Sequence, residues 1–101
     1  MDVQKEIRRA VDTGIVAFGQ REAEKSILKG KATLIVISKN ATLAARERIL
    51  NLCKINEIPH YDFKGIGLEL GSVCGKPFVI SMLGIEKPGK SKILKELAKK
   101  Q

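Results

Sequence analysis

Aromatic residues are scarce: Phe18, Tyr61, Phe63 and Phe78 are the only four, and tryptophan is absent. A sheet that stacks successive bases on aromatic rings needs more of them, which argues against an RNP-type RNA-binding surface. Histidine occurs once, at His60, and cysteine twice, at Cys53 and Cys74, with no CxxC. These residues cannot complete a tetrahedral zinc site, and none stands at ligand spacing. Both cysteines read as reduced, buried thiols of a cytosolic protein, although spacing alone leaves an intramolecular disulfide open. Long apolar runs are missing too. The longest, residues 78–85, falls well short of a bilayer span and is interrupted by Ser81 and Gly84. The start, Met1-Asp2-Val3-Gln4-Lys5-Glu6, has no apolar signal core, which predicts no export. Acidic residues are few, eleven against nineteen basic ones, giving a net charge of +8 and a pI near 9.7. So basic a chain points to a polyanionic partner, with RNA, DNA and anionic membrane as the candidates.

What is present fits one folded domain. The chain has 101 residues, 44% of them hydrophobic and 30% charged, too apolar for disorder and too short for a second core. Apolar positions Val3, Ile7, Ala10 and Val11 predict a helix over residues 2–13, closed by Gly14 as a C-cap. A short strand follows at residues 15–18. Gly19 then opens a helix with Ala23, Ile27 and Leu28 on one face, stopped by Gly30. Residues 33–38, Thr-Leu-Ile-Val-Ile-Ser, read as a central strand covered on both faces. Thr42 caps a third helix, whose apolar face is expected from Leu43, Ala44, Ile49, Leu50, Leu52, Cys53 and Ile55. Residues 59–63 suggest an edge strand, and Gly65-Ile66-Gly67 a turn. Residues 68–74 suggest a short helix, and 78–83 another strand. Ser91 caps a last helix carrying Ile93, Leu94 and Leu97. The order α-β-α-β-α-β-α-β-α predicts a three-layer α/β/α sandwich with about four strands, mainly or partly parallel.

Signatures of catalysis do not appear. His60 has no Ser-His-Asp or Cys-His context, and Asp62 and Glu69 read as solvated acids rather than an acid/base pair. Gly65-Ile66-Gly67-Leu68-Glu69-Leu70-Gly71 is one residue too long for a dinucleotide fingerprint, and there is no GK[ST] P-loop. A turn at Gly65 and Gly67, with Gly71 allowing close helix packing, accounts for it. No enzymatic activity, cofactor or membrane association is expected. Nucleic-acid binding fits best, through a basic surface of loops and helix N-termini. Gly19-Gln20-Arg21-Glu22 offers backbone amides, a side-chain amide and a guanidinium at a helix start. Asn40 follows the central strand, where its amide can reach a base edge, and Gly75-Lys76-Pro77-Phe78 adds a cation and an aromatic.

These residues carry a resemblance. Gly19-Gln20-Arg21-Glu22 with Lys25, Thr33 through Ala41, Ile58-Pro59, Glu69-Leu70-Gly71, Gly75-Lys76 and Pro88-Gly89-Lys90-Ser91-Lys92-Ile93-Leu94 together resemble the L-thirty-e family of large-subunit ribosomal proteins. That family of archaea and eukaryotes belongs to the superfamily of kink-turn RNA-binding proteins. The similarity runs from about Ile7 to Leu97. It implies a sandwich with a four-stranded mixed sheet and a structural role in the cytoplasmic ribosome. The protein would be monomeric when free, would neighbour other large-subunit proteins, and would bind ribosomal RNA at a kink-turn-like internal loop. Gly19, Arg21 and Asn40 match family positions that touch RNA, and Gln20 lies between the first two. Glu22 and Lys25 match the superfamily's N-E-x-x-K pattern, with Arg21 in place of its asparagine. Phe78 matches an aromatic that packs against an extruded base. Val79 stands where eukaryotic members carry arginine, and Lys76 is the neighbouring cation that can compensate. The ELG and PGxSxIL strings favour the ribosomal role over another kink-turn particle, and binding of kink-turn RNA would separate both from a protein-interaction adaptor or small enzyme on the same fold. The short chain without extensions looks archaeal.

Overall fold

A computed structural model describes residues 2–98, and Leu97 lies beyond the residues whose side chains are described. Five helices alternate with four strands: α1 (Val3–Thr13), β1 (Ile15–Phe18), α2 (Gln20–Leu28), β2 (Leu34–Ile37), α3 (Leu43–Ile55), β3 (His60–Asp62), α4 (Gly67–Val73), β4 (Met82–Lys87) and α5 (Ile93–Ala98). The strands form one mixed sheet in the order β1-β4-β2-β3. β4 runs antiparallel to both neighbours, Phe18 and Val36 each pairing with Leu83, while β3 lies parallel to β2. β1, β2 and β3 therefore all end on one side of the sheet, where β4 begins.

β2 is buried along its whole length because each face meets a helical layer. Leu34 and Val36, with Leu83 and Ile85, pack against Ile7 and Ala10 of α1, Leu70 of α4 and Ile93 of α5. Ile35, Ile37 and Met82 pack against Ala23 and Ile27 of α2 and Ile49 and Cys53 of α3. Alternation along the strands thus divides two cores, and the expected sandwich is what forms. Cys74 sits in the first core and Cys53 in the second, so the sheet separates the two free thiols.

One local expectation gains a cause and three change. Gly14 closes α1 in an extended conformation; a Cβ there would lie 1.9 Å from the Lys87 carbonyl oxygen, so close approach requires this glycine. Leu28, Leu43, Ala44 and Ile55 are exposed instead of packed. At about 1.5 Å per residue α3 is roughly 19 Å long, longer than β2 and β3 at about 10–13 Å, and Leu43 and Ile55 stand at its two ends. The glycine turn enters α4 directly, with Gly67 as its first helical residue. The last strand starts at Met82, not at residue 78. The segment before it passes over α4: the Ile80 amide donates to the Gly67 carbonyl at 3.0 Å, and Phe78 and Val79 remain about half exposed.

Candidate nucleic-acid interface

At the shared end of the strands, hydrogen bonds tie four segments together. The Gly19 amide donates to the Met82 carbonyl at 2.9 Å, joining the end of β1 to the start of β4. The Ser38 amide and hydroxyl both donate to the Ser81 carbonyl, at 2.9 and 2.8 Å, joining the end of β2 to the same segment. The Lys39 amide donates to the Gly65 carbonyl at 3.0 Å, bringing in the connection after β3.

Gly19 has φ of +91°, a conformation that a side chain resists, and no atom would meet a Cβ there within 4 Å. The backbone is therefore turned without being covered. Its carbonyl accepts from the Ala23 amide at 3.0 Å, which starts α2, and no side chain caps that helix. The amides of the first turn face outward beside the exposed Arg21, an arrangement that suits an anionic group. Glu22 pairs with Lys25 at 3.7 Å one turn along, on an exposed face. Gln20, Arg21 and Lys25 line an open cleft between α2 and Arg48 of α3.

Asn40 is only half available. Its Oδ1 accepts the Gly67 amide at 2.8 Å, which fixes the amide's orientation, because a backbone N–H can only donate to oxygen. Its Nδ2 meets no acceptor among the described residues and remains a free donor beside the start of α4. The Oδ1 end of the amide serves the fold, and the Nδ2 end stays open.

Lys76 lies with Nζ 5.2 Å from the centroid of the Phe18 ring, a cation–π contact that links its loop to the end of β1. The loop is set by Gly71, where a Cβ would come within 2.0 Å of the Phe78 carbonyl oxygen. Packed so closely on α4, the loop turns the Phe78 ring outward, 51% exposed. Val79 presents an exposed methyl pair against Gly67, an apolar contact where an arginine would bring charge.

The nine expected residues thus divide into two groups, with Lys25, in the last turn of α2, farthest from the shared strand end. Gly19, Gln20, Arg21, Glu22 and Lys25 lie along α2, and Asn40, Lys76, Phe78 and Val79 cluster around the α4 start and the loop into β4. Sequence reasoning missed Lys39 and Lys64, which with Arg46 and Asp62 line a cleft at the ends of β2 and β3. Their position directly after parallel strands is the signal that could have found them. There, the hydrogen bond from Arg46 holds the Asp62 carboxyl below its ordinary pKa against the effect of burial. It missed Ile66 and Leu68 as well, exposed apolar side chains flanking Gly67. Among the described residues no group of three or more His, Cys, Asp or Glu could hold a metal, and no helix is long and apolar enough to cross a membrane.

Comparison with known proteins agrees with this architecture. The family model described as "Ribosomal protein L7Ae/L30e/S12e/Gadd45 family" matches residues 1–95. The large ribosomal subunit protein eL30 of Methanothermobacter thermautotrophicus is 45% identical over 94 residues, covering 93% of this chain and 96% of that protein. The eL30 of Methanosphaera stadtmanae is 43% identical with the same coverages, and that of Sulfurisphaera tokodaii 36%, covering 93% and 89%. A solved structure of a protein of unknown function from Bacillus halodurans superposes with a TM-score of 0.81 over 97% of each chain, at 21% identity, which supports the fold. With a model spanning nearly its whole length and such relatives, this chain belongs to the L7Ae/L30e/S12e/Gadd45 family of ribosomal proteins.

Proposed function

We propose that this protein is a structural, non-enzymatic constituent of the large ribosomal subunit, working in the cytoplasmic ribosome. In this reading it binds a kink-turn-like internal loop of ribosomal RNA and sits beside other large-subunit proteins, and it is a monomer when free. The observation that carries the reading is the convergence at one end of the sheet. Open α2 amides, a free Asn40 Nδ2 and an exposed Phe78 ring stand together, with the exposed Arg21 and Lys39 alongside. Each suits one feature of a sharply bent RNA. The amides and Arg21 take phosphates of the bend, where backbone strands crowd and charge is dense. A kink-turn bends next to tandem G·A pairs, and Asn40 Nδ2 donates to an acceptor on a base edge beside them. Phe78, with Val79, offers an apolar platform for a base thrown out of the stack.

Co-sedimentation tests the ribosomal assignment. Purified protein mixed with large subunits stripped of it should pellet with them at moderate salt, one copy per particle. Failure to pellet, with retained binding to isolated kink-turn RNA, would move the protein to another ribonucleoprotein. Loss of both interactions would leave the adaptor reading.

A further inference from the structure

The string Pro88-Gly89-Lys90-Ser91-Lys92-Ile93-Leu94 takes no part in the end of the sheet described above. It follows the finish of β4, at the opposite end, and is fastened to α1. Gly89 has φ of +60°, and a Cβ there would lie 2.4 Å from the Thr13 carbonyl oxygen. The Lys90 amide donates to Thr13 Oγ1 at 2.9 Å, and Ser91 Oγ donates to the Glu6 carbonyl at 2.7 Å. Glu6 Oε1 accepts the Lys92 amide at 2.7 Å, and Ile93 is fully buried. The backbone is held while the lysine side chains point away from it into solvent. Lys90, Lys92 and Lys95 border a cleft of about 460 Å³ that begins at Pro88, and Lys31 and Lys87, at the end of β4 just before it, share a second concavity with Ile15 and Glu86.

Among the described residues each nearby carboxylate has a partner, although Glu86's is a neutral hydroxyl, so its charge stays beside Lys31 and Lys87. Glu6 is held by the loop and Arg9, Asp12 by Arg8, and Glu86 accepts from Ser26 Oγ at 2.7 Å. Among the described residues, none of Lys31, Lys87, Lys90, Lys92 and Lys95 makes an ion pair. Ammonium groups gathered on one edge repel one another, and a polyanion relieves that repulsion. β4 from Met82 to Lys87 places this edge about 17 Å from the kink-turn end. That is about twice the screening length at physiological salt, roughly 8 Å, so these lysines add little to binding at the far end.

We propose that this lysine edge is a second RNA-binding face, which takes the phosphate backbone of a separate RNA segment, so that the protein bridges two segments across its sheet. The bridging rests on the kink-turn reading; the lysine edge stands without it. The edge presents charge with no aromatic side chain, which makes it a backbone contact without sequence preference. Ile93 and Leu94 of α5 pack into the core, so the edge lacks the free apolar helix face that membrane binding adds.

The test uses the full chain saturated with unlabelled kink-turn RNA and titrated with a fluorescent RNA duplex of about 16 bp. The saturated complex should bind the duplex without releasing the first RNA, and log affinity should fall with log salt at a slope of about −3 to −4. The variant Lys31→Gln/Lys87→Gln/Lys90→Gln/Lys92→Gln keeps every loop amide. It should lose about tenfold or more in duplex affinity, with kink-turn affinity held within about twofold. Three results would overturn the proposal: displacement of the kink-turn RNA by the duplex, unchanged duplex binding by the quadruple variant, or tighter capture of phosphatidylserine vesicles than of duplex. Should wild-type protein show no preference for the kink-turn, that reading alone fails, and lost duplex binding in the variant still supports the lysine edge.

Discussion

Asn40 supplies one hydrogen bond to the fold and, in the proposed function, gives another to RNA, and two substitutions separate them. The Gly67 amide donates to Oδ1 at 2.8 Å, partly screened from water, so removing the acceptor in Asn40→Ala should cost about 0.5–1.5 kcal/mol of stability. The same change removes Nδ2, and loss of one base-edge donor weakens specific binding by about 1–3 kcal/mol, roughly 5- to 150-fold in Kd. Asn40→Asp keeps an oxygen for Gly67 and puts a carboxylate where the donor stood. Its stability should stay within about 0.5 kcal/mol of the original. Its RNA affinity should fall at least as far as that of the alanine variant, because repulsion from the phosphates adds to the lost donor. The assay is urea unfolding beside kink-turn binding at one fixed salt, with Lys54→Ala, at the far end of α3, as the control for diffuse charge. Unchanged RNA affinity in Asn40→Asp would refute the divided role, as would an alanine variant no weaker than the control.

Gly71→Ala forces a methyl toward the Phe78 carbonyl and should destabilise the protein by about 1–3 kcal/mol while weakening RNA binding through the displaced loop. Unfolding and binding indistinguishable from the original would show that the loop is not set by this contact. Ile35→Ala opens a cavity between β2 and the α2–α3 layer and should cost about 2–5 kcal/mol in denaturant unfolding, with RNA preference kept wherever the variant folds. The Lys92 amide, helped by Arg9 and Ser91 and opposed by burial, holds the Glu6 carboxyl below its ordinary pKa. Its stabilisation is therefore full above the unfolded carboxylate value of about 4.3 and is lost as pH falls through the lower folded value. The gap in unfolding midpoint between wild type and Glu6→Gln should be widest near neutrality and close on acidification; a gap independent of pH would contradict this. Kink-turn affinity should fall linearly with log salt at a slope of about −4 if about five phosphates are neutralised, and a flat response would exclude a polyanion site.

Much of the fold is readable from pattern. The alternation of helical and β-branched segments, with glycine soon after α1, β1, α2, β3, α4 and β4, yields the element order and the buried β2. Mixed pairing is less readable, because nothing in residues 82–87 says which neighbours they meet or in which direction. The shift of β4 has a local cause. Phe78 and Val79 look like strand residues, yet Gly67 and Gly71 let this segment lie directly on α4, bonded there instead of to a strand. That same displacement exposes Phe78 and Val79, so the error in the strand and the gain in the site are one event. Gly19 and Asn40 were legible as candidates because they directly follow two strands that end on the same side. Asn40's bond to Gly67 was not, since it joins residues 27 apart in sequence. The clasp of Glu6 on the last loop was equally hidden, because a glutamate on an amphipathic helix reads as a solvated surface charge until residue 92 returns to it.

The most direct test compares two RNAs at one salt concentration. One carries the kink-turn internal loop; the other is identical except that Watson–Crick pairs replace the tandem G·A pairs, leaving charge and length unchanged. Binding through Gly19, Asn40 and Phe78 at the end of the sheet predicts at least about 100-fold tighter binding to the first, some 2.7 kcal/mol. Equal affinities would show that only diffuse charge holds the RNA and that this end of the sheet is not a kink-turn site.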